Sequence, residues 1–77
     1  MKDLLVYLAS SLVEQPDAVR VEEFEEDDGT LVLELSVAKD DYGKVIGRGG
    51  RTAQALRTVV KAAAVKDNRR VLVDIVG

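Results

Sequence analysis

The chain has 77 residues, a net charge of −3, and neither cysteine nor histidine. At that length one domain is expected, burying only about 60% of its unfolded surface, so a dimer or a bound ligand would add useful stability. Disulfides and thiolate metal sites are excluded, and any catalysis would rest on Asp, Glu, Lys, Ser or Tyr alone.

No nucleophile–base pair is visible, so an enzyme is not expected, nor is a cofactor or a metal. The apolar runs fall far short of the roughly 18 residues that span a bilayer. The start, Met1-Lys2-Asp3-Leu4, lacks the marks of a secretory leader, and a cytoplasmic protein is the expectation.

Residues 2–14 read as a helix. Leu4, Leu5, Leu8 and Leu12 share one face at helical spacing, and Asp3 favours the dipole in the first turn. Pro16 stops the helix. Residues 18–26 read as a strand in which Val19 and Val21 alternate. Phe24 breaks that parity and suggests a bulge or a splayed end. The acids Glu22, Glu23, Glu25, Glu26, Asp27 and Asp28 lack the spacing of a calcium loop and read as a solvated edge. Asp28-Gly29 signals a hairpin into a strand at 30–37, whose few charges suggest a central position.

Residues 40–46 read as a short helix with first-turn acids Asp40 and Asp41, ended by Gly47. A longer helix runs from about Gly50 or Arg51 to Lys66. Ala53, Leu56, Val60, Ala63 and Ala64 form one face, and Ala55, Val59 and Ala62 widen it. That arc is broader than one sheet contact needs and must meet the first helix or a second chain. Gln54, Arg57, Thr58 and Lys61 lie opposite. A last strand covers 70–76, with Arg69 and Arg70 as solvated loop charges. The order is α-β-β-α-α-β: an α+β fold with a three-stranded mixed sheet, strand 30–37 central, and three helices on one face.

Charge is segregated along the chain. Residues 1–38 hold two basic and ten acidic residues, a net −8; residues 39–70 hold nine basic and three acidic, a net +6. The densest glycine stretch, Val45-Ile46-Gly47-Arg48-Gly49-Gly50-Arg51-Thr52, lies in the basic half. It fits neither nucleotide motif. Position 52 is Thr where a dinucleotide fingerprint needs Gly or Ala, and no Gly-Lys-Ser/Thr exists for a P-loop. What remains is helix-Gly-x-x-Gly-helix. Bare glycine backbone lets a sugar-phosphate approach closely, and a helix start with Arg48, Arg51 and Lys44 nearby favours an anion. Two roles are open to Val45 and Ile46: core packing, or an apolar floor for bases with Val32 or Ser36 as the other wall. Only Tyr7, Phe24 and Tyr42 are aromatic, so strong base stacking is not expected.

The run Val45-Ile46-Gly47-Arg48-Gly49-Gly50, between two helices in an α-β-β-α-α-β order, resembles the signature of the KH RNA-binding domain in its type II arrangement. Length and the stretch from Val37 to Thr52 are similar to the small single-domain bacterial KH proteins of the KhpA group. The resemblance covers the whole chain. It implies a cytoplasmic single-stranded RNA-binding protein whose G-x-x-G loop clamps the backbone of about four nucleotides. The residues it assigns to RNA are Lys44, Val45, Ile46, Gly47, Arg48, Gly49, Gly50, Arg51 and Thr52. It further implies a post-transcriptional regulator or RNA chaperone, tied in some bacteria to cell elongation and division. Such a protein pairs with itself or with a larger KH-containing partner. The other reading is a protein-interaction module with little RNA binding of its own.

Overall fold

The computed structural model describes residues 1–77. Six main elements follow in order: α1 (Lys2–Ser10), β1 (Arg20–Glu25), β2 (Leu31–Ser36), α2 (Tyr42–Ile46), α3 (Arg51–Lys66) and β3 (Val71–Ile75). Short 3₁₀ turns occupy Pro16–Ala18, Lys39–Asp41 and Arg48–Gly50. The sheet order is β1-β2-β3. β1 pairs antiparallel and β3 parallel to the central β2. This is the expected α+β architecture.

Alternation decides the faces. Val21 on β1, Leu31, Leu33 and Leu35 on β2, and Val71, Val73 and Ile75 on β3 are buried. They form one core with Leu5 and Ala9 of α1, Val45 of α2, and Ala53, Leu56, Val60 and Ala64 of α3. Truncating a fully buried member such as Leu33 to Ala would cost about 2–5 kcal/mol. Gly29 adopts φ 87° in the hairpin, where Glu26 N–H donates to Thr30 O at 2.8 Å. α3 ends in a Schellman motif. Asn68 takes φ 55°, its N–H bonds Val65 O at 3.0 Å, and Arg69 N–H bonds Ala64 O at 2.9 Å.

Four expectations need correction. α1 stops at Ser10 rather than near residue 14, because the backbone N–H groups of Glu14 and Gln15 bond the Asp41 carboxylate at 3.2 and 3.0 Å instead of extending the helix. The leucine stripe centres on Leu5 and Ala9, and Leu12 is 41% exposed. β1 has no bulge: its register with β2 is unbroken from Arg20↔Ser36 to Glu25↔Leu31, and Phe24 simply lies on the other face, opposite Val32. Arg69 and Arg70 are not free solvated charges, since they pair with Glu25 at 4.0 Å and Asp28 at 3.3 Å. No helix is long and apolar enough to cross a membrane.

Candidate nucleic-acid interface

The Gly47–Gly50 loop is held from both sides. Before it, Val45 is fully buried and anchors α2 to the core. The 3₁₀ turn leading into α2 carries Asp41, only 1% exposed. Burial alone would raise its pKa. The N–H bonds from Glu14 and Gln15, with the Lys44 ammonium at 3.6 Å, outweigh that and hold it below the usual carboxylate range. Asp41 therefore ties the segment after α1 to the base of α2. Nothing local in the sequence signals this, because its backbone partners lie 27 and 26 residues away.

The loop itself turns on glycines, of which Gly47 is the one its neighbours demand. Gly47 ends α2 at φ 75°, ψ 171°, with its N–H on Gly43 O at 2.9 Å. That region is essentially restricted to glycine. A Cβ there would lie 2.7 Å from Thr52 Cβ and 2.8 Å from Thr52 N, and closer still to the Thr52 hydroxyl. Gly49 and Gly50 follow in left-handed conformations, φ 64° and φ 78°, with no heavy atom within 4 Å of a Cβ position. Gly50 N–H returns to Gly47 O at 3.1 Å, which makes the loop a tight knuckle. α3 begins directly behind it with no side-chain cap. Its first amide, Arg51 N–H, bonds Arg48 O, and no side chain caps the amides that follow.

The cations around this knuckle differ in availability. Arg48 and Arg51 are exposed and take part in none of the chain's ion pairs. Lys44 is shared between Glu14 at 3.5 Å and Asp41 at 3.6 Å. Arg57, opposite the apolar arc of α3, reaches the sheet: its Nε donates to Val73 O at 3.2 Å. Leu31 N–H bonds Arg70 O, and Val76 N–H bonds Leu35 O. In a parallel ladder, even-numbered residues of β3 therefore face β2, and odd-numbered ones face the free edge. Arg57 covers one carbonyl of that edge. Farther along, Lys61, Arg69 and Arg70 border a hollow of about 430 Å³ with Val65, Val71 and Leu72.

The sequence model of the family described as KhpA/KhpB, KH domain, matches residues 2–75. The chain belongs to this KH-domain family. It is 55% identical over 76 residues to the RNA-binding protein KhpA of Clostridium acetobutylicum, covering 99% of this chain and 100% of that protein. It is 58% identical over 77 residues to the RNA-binding protein KhpA of Halalkalibacterium halodurans, covering 99% of each. The Bacillus subtilis protein of the same name is 48% identical over 75 residues, covering 97% of this chain and 91% of that one. The family is not an enzymatic one. Among solved structures, Era bound to MgGDPNP and nucleotides 1506–1542 of 16S ribosomal RNA superposes with TM-score 0.64 at 19% identity, over 96% of this chain. The chain spans only 28% of that Era chain, and the likeness is one of fold.

In this KH domain, seven of the nine candidate residues gather at the knuckle: Ile46, Gly47, Gly50 and Thr52 half-buried, and Arg48, Gly49 and Arg51 exposed. Lys44 sits one turn earlier with its charge partly engaged. Val45 has no exposed surface and serves as the anchor, not as a floor for bases. Val32 and Ser36 lie on the sheet face away from the core residues Leu31, Leu33 and Leu35, so they do not form a wall opposite the loop.

Proposed function

We propose that this chain binds single-stranded RNA, with the Gly47–Gly50 knuckle holding the sugar-phosphate backbone. The observation that carries the reading is the conjunction of three positive-φ glycines with two unpaired arginines, Arg48 and Arg51, at the uncapped start of a 16-residue helix. Bare backbone permits close approach, the helix start attracts phosphate, and the guanidiniums add charge at that point. Such contacts position a strand without reading its sequence, so specificity is low. Arg57 and Lys61 extend the positive track along α3 beside the free edge of β3. The names of the curated relatives support RNA as the ligand.

The test is the double substitution Arg48→Asp with Gly49→Asp. Nothing lies within 4 Å of a Cβ at Gly49, and Asp tolerates a left-handed backbone, so the fold survives. RNA binding should be lost with the circular dichroism spectrum unchanged. Unchanged affinity would overturn the reading.

A second reading runs alongside: a dimerisation module. Leu12 is 41% and Val59 45% exposed, and with Ala55 they border an apolar groove of about 260 Å³ between α1 and α3. This is the outer part of the broad arc expected to meet the first helix or a second chain; its inner part packs with Leu5 and Ala9 of α1. We infer a homodimer or a pairing with a larger KH-containing protein across it, serving post-transcriptional regulation in the cytoplasm. Val59→Asp should convert a sedimenting dimer to monomer; a parent chain that is monomeric at high concentration would end the homodimer form of this reading.

A further inference from the structure

The sheet face away from the helices carries two contrasting rows. Register places Glu22, Glu34 and Asp74 side by side on β1, β2 and β3, and Phe24, Val32 and Leu72 side by side in the next row. Neighbouring strands lie about 4.8 Å apart, so three carboxylates span roughly 10 Å, and the rows are about 7 Å apart along the strands. Like charges directly opposite one another on adjacent strands repel.

Nothing in the chain neutralises this row. All of its ion pairs use Lys44, Arg69 or Arg70, and none involves Glu22, Glu34 or Asp74. The nearest cation on this face is Arg20, two residues from Glu22 on β1. Its guanidinium donates instead to the carbonyls of Asp17 at 2.9 Å and Val19 at 3.1 Å. The neighbouring row is apolar and open at both ends, with Phe24 45% and Leu72 49% exposed around buried Val32. A solvated edge explains scattered acids on β1. It does not explain three acids aligned across the sheet beside three apolar side chains.

We propose that this face docks a basic amphipathic segment of a protein partner. Its lysines or arginines meet the Glu22–Glu34–Asp74 row, and its apolar side chains cover Phe24, Val32 and Leu72. A helix supplies the spacing, since positions i and i+4 lie about 6 Å apart along its axis. The same row repels nucleic acid, so RNA at the glycine knuckle and a basic segment on the sheet occupy separate surfaces. This inference does not rest on the RNA reading.

The experiment titrates the full isotope-labelled chain with a synthetic amidated peptide of about four helical turns, lysines on one stripe and leucines on the next. Amide shifts should cluster at the open-face positions of β1, β2 and β3. Affinity should fall about tenfold in a Glu22→Gln, Glu34→Gln, Asp74→Asn variant, and by a similar factor in Leu72→Ser. A control variant, Glu25→Gln with Asp27→Asn, removes acids off that face and should bind as the parent does. Equal loss in the control, or no loss in Leu72→Ser, would overturn the proposal, because the chain would then attract any polycation. The triple variant should melt above the parent; a lower melting temperature would show the row to be compensated and overturn it. Its affinity for an oligouridine should be undiminished, and a loss there would contradict the separation of surfaces. If the parent self-associates and the triple variant does not, the occupant is a second copy and the proposal falls.

Discussion

Gly47→Ala is the substitution whose cost the geometry fixes most closely. The alanine would have to hold φ 75°, ψ 171°, a region worth about 1–3 kcal/mol of strain for a residue with a Cβ. It would also press that Cβ to 2.7 Å from Thr52 Cβ and 2.8 Å from Thr52 N. The second contact is with backbone at the head of α3, which no rotamer change relieves, and overpacking of this kind adds about 1–3 kcal/mol. The sum is about 2–6 kcal/mol. A domain of this length has only about 4–12 kcal/mol in total. Gly49→Ala shares a positive φ but meets no atom within 4 Å, so it should cost only about 1–2 kcal/mol. Urea denaturation followed by circular dichroism compares the two directly. In matched thermal melts Gly47→Ala should lower the melting temperature by about 8 °C at the least, and Gly49→Ala by about 4–16 °C and always by less than Gly47→Ala. RNA affinity, measured where both variants are folded, should drop for both, since a Cβ at Gly49 also intrudes on the bare backbone, and more sharply for Gly47→Ala, where α3 must also shift relative to α2. Equal stability losses would refute the idea that the approach of Thr52, and not the turn alone, demands glycine.

Other consequences are more briefly tested. The logarithm of RNA affinity should fall linearly with the logarithm of salt, with a slope of about −2 if some three phosphates are engaged; a flat response in a filter-binding series would remove the phosphate contacts. Asp41→Asn should destabilise the fold and loosen Lys44, read as a lower melting temperature and broadened amide signals for Glu14 and Gln15. The folded-state pKa of Asp41 is depressed, so its contribution is fully present above the ordinary carboxylate pKa and is lost as pH falls through the depressed value. Acid titration should therefore weaken the parent more than Asp41→Asn. Asn68→Ala should cost about 1–2 kcal/mol by placing a Cβ-bearing residue without a local amide at φ 55°, and Asn68→Gly should recover it.

The architecture was legible because its signals are local. The alternation of Leu31, Leu33 and Leu35, the Asp28-Gly29 turn and the helical arc from Ala53 to Ala64 each sit within one element, and the structure has each of them. The glycine knuckle was legible for the same reason. Its chemistry is written in contiguous residues. What escaped notice involves partners far apart in sequence. Asp41 looked like a first-turn acid, yet its carboxylate bonds backbone across the molecule and cuts α1 short. Arg57 lies opposite the apolar arc of its helix, yet it reaches a β3 carbonyl 16 residues on. Val45 was ambiguous because an apolar residue before a loop packs inward or outward according to the angle of a five-residue helix, which no local pattern sets.

The acidic total of −3 and the proposed RNA ligand are compatible because of where the fold puts each sign. β1 and its hairpin hold six of the fourteen acids at one edge of the sheet, while the knuckle and α3 carry Arg48 and Arg51, which no acid pairs. At physiological salt a charge is screened beyond about 8 Å, so a phosphate at Arg48 responds to its neighbours and not to the total. The buried acid at the base of α2, Asp41, is already committed to two amides and to Lys44. An acidic remainder then acts as an orienting field that disfavours RNA elsewhere on the surface. Neutralising Glu25, Glu26 and Asp27 should therefore raise non-specific RNA affinity while leaving the effect of Arg48→Asp intact. If the loop substitution lost its effect in that background, RNA would be following net charge and not the knuckle.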